Sequence, residues 1–144
     1  MDRTFETEPV GLDVLGRDEC LALMATVPVG RLVFTEGALP AIQPVNFGLD
    51  GEDVVIRIGM GSKLALAARS AIVAFECDEY DEQGMTGWSV VVVGRAEAVG
   101  DEAERRRLAE LRITPWALGH RPYYLRIVPD LIRGRRIRHN VSAL

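Results

Sequence analysis

A series of short β-branched or alternating runs, parted by turn residues, constrains this chain more than any other feature. Val29–Glu36, Ala41–Leu49, Val54–Ile58, Ile72–Cys77, Trp88–Val99, Tyr123–Val128 and Leu131–Arg138 all read as strands. Asp50-Gly51 between two of them signals a hairpin. Helical patterning is confined to three places. Cys20, Leu21, Leu23 and Met24 recur at helical spacing within Arg17–Val27, which Pro28 terminates. Ser62–Arg69 is a short helical patch, and Asp101-Glu102-Ala103-Glu104 opens a helix to about Arg112 under a carboxylate cap. Residues 1–16, with Pro9, Gly11 and Gly16, read as an extended lead-in to one domain over 17–144. Seven strands with few, short helices predict a mainly β fold, a closed or nearly closed antiparallel barrel.

One strand asks for more. Val90-Val91-Val92-Val93 is apolar on both faces, because neighbouring side chains of a strand point opposite ways. A barrel needs only its inner face apolar, so something should cover the outer one. A packed helix would do, and so would a second copy of the chain. Trp88 at the start of this strand favours the second copy, since Trp is enriched at interfaces.

Composition removes several function classes. The chain has 144 residues, 48% apolar and 26% charged, the size and balance of a single soluble domain. No apolar stretch approaches the roughly 20 residues of a membrane span. The start, Met1-Asp2-Arg3-Thr4, lacks an apolar signal region, and the expected location is the cytoplasm. A net charge of −4 offers nucleic acid no general attraction. Cys20 and Cys77 lie far apart among apolar residues and read as buried hydrophobes. With only His120 and His139 present, no metal site is expected.

The strongest local signal is Arg57-Ile58-Gly59-Met60-Gly61-Ser62-Lys63. Arg57 is the single charge in an otherwise apolar strand. The Gly-x-Gly turn that follows lets backbone approach a ligand closely. Ser62 stands where a helix N-cap belongs, and Lys63 follows in the first turn, where the helix dipole disfavours a cation. An anion held there would reconcile the two, so the segment reads as a phosphate cradle. It also reads as a capped helix with a solvated lysine, and the P-loop spacing is absent.

Weaker signals accompany it. Pro44 within Ile42-Gln43-Pro44-Val45-Asn46-Phe47 implies an edge or bulge, leaving backbone groups and the Asn46 amide for a ligand. Trp88 and Ser89 could wall a flat ring. In the tail, Arg133 and Arg135 share one strand face, Arg136 and Arg138 the other. Without interleaved aromatics this pattern does not favour nucleic acid. No hydrolytic constellation stands out, so no catalytic side chain is assigned and chemistry would come from a bound cofactor.

The order of motifs resembles the pyridoxamine 5′-phosphate oxidase-like flavin-binding split-barrel family, most closely its short actinobacterial members. Val29-Gly30-Arg31-Leu32, Pro44-Val45-Asn46-Phe47, Gly61-Ser62-Lys63-Leu64, Gly87-Trp88-Ser89-Val90, Val93-Gly94-Arg95-Ala96-Glu97 and Ile127-Val128-Pro129-Asp130 carry the likeness, over roughly residues 17–138. The resemblance implies a split β-barrel homodimer with FMN at the subunit interface. It implies a reductase or oxidase acting on a small-molecule electron donor or acceptor, with no membrane or nucleic-acid partner. Arg57, Ser62 and Lys63 would hold the FMN phosphate; Pro44, Val45 and Asn46 would run along the ring; Trp88, Ser89 and Arg135 would approach it near the interface. The superfamily also has members using the deazaflavin F420, so an F420-dependent reductase of the same fold is one alternative, and a non-catalytic dimer that binds or senses a flavin is another. The Arg-x-His substrate grip of true pyridoxamine phosphate oxidases has only Arg138-His139-Asn140 in its place, so that substrate is not expected.

Overall fold

Alternation along the strands sorts side chains into an inside and an outside, and the inside closes on itself. In the computed structural model, which describes residues 11–59, 70–117, 119 and 123–139, the elements in chain order are these. They are β1 (Leu12–Leu15), α1 (Arg17–Met24), β2 (Val29–Glu36), β3 (Leu39–Asp50), β4 (Asp53–Ile58), β5 (Ile72–Asp81), β6 (Thr86–Val99), α2 (Glu102–Leu108) and β7 (Tyr123–Ile137). One turn of 3-10 helix, Ala109–Leu111, follows α2. The strands form one antiparallel sheet in the order β1-β7-β4-β3-β2-β5-β6, and β6 pairs back onto β7. Six strands thus close a ring, with β1 laid against the end of β7 beyond the reach of β4. The fold is a mainly β split barrel.

Inward residues make the core: Leu32 and Phe34 of β2, Phe47 of β3, Val54 and Ile56 of β4, Phe75 and Cys77 of β5, Val90 and Val92 of β6 are all buried. Phe47 and Phe75 meet edge to face at 4.7 Å between ring centroids. Cys20 and Met24 of α1 plug into the same cluster. Outside, α2 and the turn after it bury Leu108 and Ile113 on Val55 and Tyr124, covering the wall formed by β4 and the first half of β7. The Asp101 carboxylate caps α2, accepting the Glu104 N–H at 3.0 Å.

Three expectations shift. Tyr123–Val128 and Leu131–Arg138, read as two strands, are the halves of the single β7. Pro129 cannot donate to a ladder, but here it sits at a bulge: Val93 opposes Leu131 while Gly94 opposes Pro129, leaving Asp130 as an extra residue. Gly94 is needed there, since a Cβ on it would lie 2.1 Å from the Val128 carbonyl oxygen. The helix read over Arg17–Val27 ends at Met24. Within the N-terminal lead-in, Leu12–Leu15 joins the sheet as β1. The predicted hairpin at Asp50-Gly51 is present, with Asp50 opposite Asp53 and Gly51 at φ 63°.

Candidate functional site

The ring has a split. The β3–β4 ladder stops at Phe47 opposite Ile56, yet β3 continues backward to Leu39 along β2, and β4 continues to Ile58 along β7. The two strands diverge here. Gly48 faces Val55 in the β3–β4 ladder while the Phe47 N–H bonds the Pro28 carbonyl on the other side at 3.3 Å. By strand alternation the backbone of Asn46 and the carbonyl of Pro44 turn toward the gap. Pro44 is exposed, and Val45 packs on the core.

Two outward side chains, one from each lip of the split, anchor the segment that follows α2. The Asn46 amide donates to the Pro28 carbonyl at 3.3 Å and accepts the Trp116 backbone N–H at 2.8 Å. The Arg57 guanidinium donates to the Ile113 carbonyl at 3.1 Å and stands 5.9 Å from the centre of the Tyr124 ring. Ile113 and Trp116 were not singled out in the sequence. Their role comes from where the chain passes, and no local motif announces it. Ser62 and Lys63, and the helical patch Ser62–Arg69, lie outside the described residues.

The other predicted residues sit elsewhere. Ser89 and Arg135 face each other across β6 and β7 on the outer surface, lining a groove of about 310 Å³ with Val91, Val93, Leu131 and Arg133. Trp88 turns the opposite way and is 6% exposed within the barrel core, so it offers no outward ring to that groove. A cleft of about 540 Å³ opens at the end of β5, β6 and β7, walled by Tyr80, Trp88, Arg136 and His139 among others. Its arginines are engaged: Asp13 holds Arg138 at 2.6 Å, and Glu19 lies 3.7 Å from Arg136.

Two carboxylate clusters differ in their electrostatics. On the α2 side, Arg126 reaches Asp53 at 2.7 Å, Asp50 at 3.0 Å and Glu104, while Arg107 holds Asp50 at 2.6 Å and Glu104 at 2.7 Å. The Arg107 hydrogen bond, against some burial, holds the Asp50 carboxyl down at about 2. On the bare side, a single Arg31 nitrogen serves both Glu76 and Asp78 at 3.1 Å. Burial, reinforced by Asp78, pushes the Glu76 carboxyl up to about 7 despite Arg31. Burial likewise pushes the Cys77 thiol up to about 12, so it is inert.

With this geometry in view, the chain can be placed among known proteins. The sequence profile of the pyridoxamine 5′-phosphate oxidase family matches residues 16–136. This chain belongs to that family. It is 40% identical over 128 residues to the Mycobacterium tuberculosis protein Rv0080, covering 85% of this chain and 84% of the relative. Among solved structures, an FAD-binding protein from Mycobacterium smegmatis is 34% identical, covers 88% of this chain and 99% of its own, and superposes with a TM-score of 0.70. A conserved protein of unknown function from Corynebacterium diphtheriae is 32% identical over 88% of this chain and 98% of its own, with a TM-score of 0.74.

Proposed function

We propose that this protein binds a flavin in the split between β3 and β4 and serves as a flavin-dependent oxidoreductase for a small molecule. The likeness to the M. smegmatis FAD-binding protein across 88% of this chain carries the reading. The chemistry at the split fits the group. Arg57 places a guanidinium at one lip, and Ser62 and Lys63 follow it closely in the sequence, a trio of residue types that suits a phosphate. On the other lip the unladdered backbone of Pro44 and Asn46 offers main-chain groups to the edge of a ring. The Asn46 amide is occupied by Pro28 and Trp116, so its part is to hold that lip open rather than to grip the ring.

Ser89 and Arg135 lie on a different wall, and they would reach a flavin at the split only from a second copy. The functional unit in this reading is therefore a homodimer with a flavin at the interface. A bound flavin would supply hydride or electron transfer; the protein holds the ring, excludes water and lends no acid or base of its own. FMN is the first choice, since a single phosphate satisfies the Arg57, Ser62 and Lys63 trio.

The test is titration of the purified protein with FMN, FAD and F420, followed by absorbance and fluorescence. Uptake of FMN with flavin bands is expected. Arg57→Ala and Lys63→Ala should each weaken it by about 10–100-fold, the worth of a charge-assisted hydrogen bond. Preference for FAD or F420 would keep the site and change the cofactor. Uptake of none would overturn the reading, and tight uptake without turnover of common donors and acceptors would overturn the oxidoreductase half of it.

A further inference from the structure

Where the β3–β4 ladder gives out, the segment after α2 bridges the two lips. The last rungs set Gly48 opposite Val55 and Phe47 opposite Ile56, so one step further Asn46 and Arg57 stand on opposite lips at the same level. The ladder has no rung there. Instead, Arg57 donates to the Ile113 carbonyl at 3.1 Å, and the Asn46 side chain accepts the Trp116 N–H at 2.8 Å. Ile113 also packs over the last rungs, buried with Val55 and so close to Gly48 that a Cβ there would lie 3.1 Å from its side chain. The segment is a strap that begins on the Arg57 lip and ends on the Asn46 lip.

It ends in an exposed aromatic. Trp116 is 68% exposed although its backbone is tied down, and Pro115 stiffens the chain just before it. Among the described residues, no ring or cation stacks on its indole. An indole on a fixed backbone loses little entropy when a flat partner covers it, and the partner removes a large apolar area from water. Trp88, the aromatic expected to wall a flat ring, is 6% exposed and turned into the core. Of the two tryptophans, Trp116 is the one with an open face.

In the flavin reading the phosphate lies toward Arg57 and the ring toward Pro44 and Asn46. The strap therefore runs from the phosphate end of the split to the ring end. We propose, resting on that reading, that the Trp116 indole is a wall of the ring site and stacks on the flavin's ring system, with Asn46 as the residue that positions it. The ring face beneath the indole is then shut to water, and the small-molecule partner approaches the opposite face.

The experiment reads the emission of the bound flavin. An indole in contact with a flavin ring quenches that emission by lending the excited ring an electron, which then returns. Wild type, Trp116→Leu, Trp116→Phe and Trp88→Phe are compared with FMN, or with FAD or F420 where the titration above selects it. Both Trp116 variants change an exposed side chain and should fold as the wild type does. Flavin bound to the wild type should be dark, should brighten in both Trp116 variants, and should stay dark in Trp88→Phe. Trp116→Leu should also weaken flavin affinity by about 10-fold, the worth of one aromatic stacking contact, and Trp116→Phe should recover most of it. Equal emission from wild type and both Trp116 variants, or brightening by Trp88→Phe alone, would overturn the contact and leave the flavin reading standing. Failure of the wild type to take up any of the three would overturn that reading and the contact with it.

Discussion

The barrel has two outer walls that share β7 and are finished differently. The wall of β4 and the first half of β7 lies under α2, with Leu108 fully buried and Arg126 only 13% exposed. The wall of β5, β6 and the second half of β7 has no such cover among the described residues, and leaves Val91 and Leu131 open. Their ion clusters diverge in the same way. Both hold one more carboxylate than arginine, and in both a guanidinium nitrogen serves two carboxylates, but on the covered wall Asp50 accepts from two further guanidinium nitrogens and Glu104 from three. The Asp50 carboxyl falls to about 2 and the Glu76 carboxyl climbs to about 7. One wall is covered within the chain and the other is left open among the described residues. Net charge does not separate them; the allotment of donors does.

The contrast can be broken by truncating one residue on each wall. Leu108→Ala should destabilise the fold by about 2–5 kcal/mol, the range for a buried leucine left as a cavity. Leu131→Ala, on the open wall, should leave the chain's stability within about 0.5 kcal/mol. Chemical denaturation of both variants checks this, and equal losses would erase the distinction. Next in size, Arg126→Met should cost about 1–2 kcal/mol by stripping Asp53 of its guanidinium, with solvent at the carboxylates screening the rest. Urea unfolding reads it.

The smallest effects are in pH. Glu76 holds its proton up to about 7 when folded and to an ordinary 4.5 when unfolded. Its contribution to stability is full below 4.5 and is lost as pH rises through 7. Asp50 behaves oppositely: its contribution is full above 3.8 and is lost as pH falls toward 2. Melting temperatures of the dilute protein should show Glu76→Gln removing a decline between pH 5 and 8, and Asp50→Asn removing a loss below pH 4. A decline that persists in Glu76→Gln would detach it from the bare wall.

Much of this was legible in the sequence because strands and turns announce themselves locally. Val29–Glu36 has the bounds read from its residues, and Asp50-Gly51 makes its hairpin. β7 was misread because Pro129-Asp130 has the same composition whether a strand ends or bulges; only the partner strand β6 decides, and it lies 30 or more residues away in the chain. The doubly apolar Val90–Val93 showed that its outer face needs a cover, but not which one, since α2 covers a wall that β6 reaches only at its end, Val99. At the site, Arg57 and Asn46 were found as a lone charge and an amide beside a proline. That both hold down the Ile113–Trp116 segment is a property of how the chain passes overhead, with no trace in either motif.

Asp130 makes the position of the arginine tail a matter of counting. Upstream of it the odd-numbered Leu125 and Ile127 point inward; downstream the even-numbered Gly134 does, and odd-numbered Arg133 and Arg135 point out. The tail's meaning therefore depends on a phase set by one residue that forms no rung of the ladder. Were Asp130 taken into the ladder as an ordinary rung opposite Val93, the composition would be untouched, yet the tail would read out of frame: the arginines would turn toward α1, and Ile132 would take their place outside.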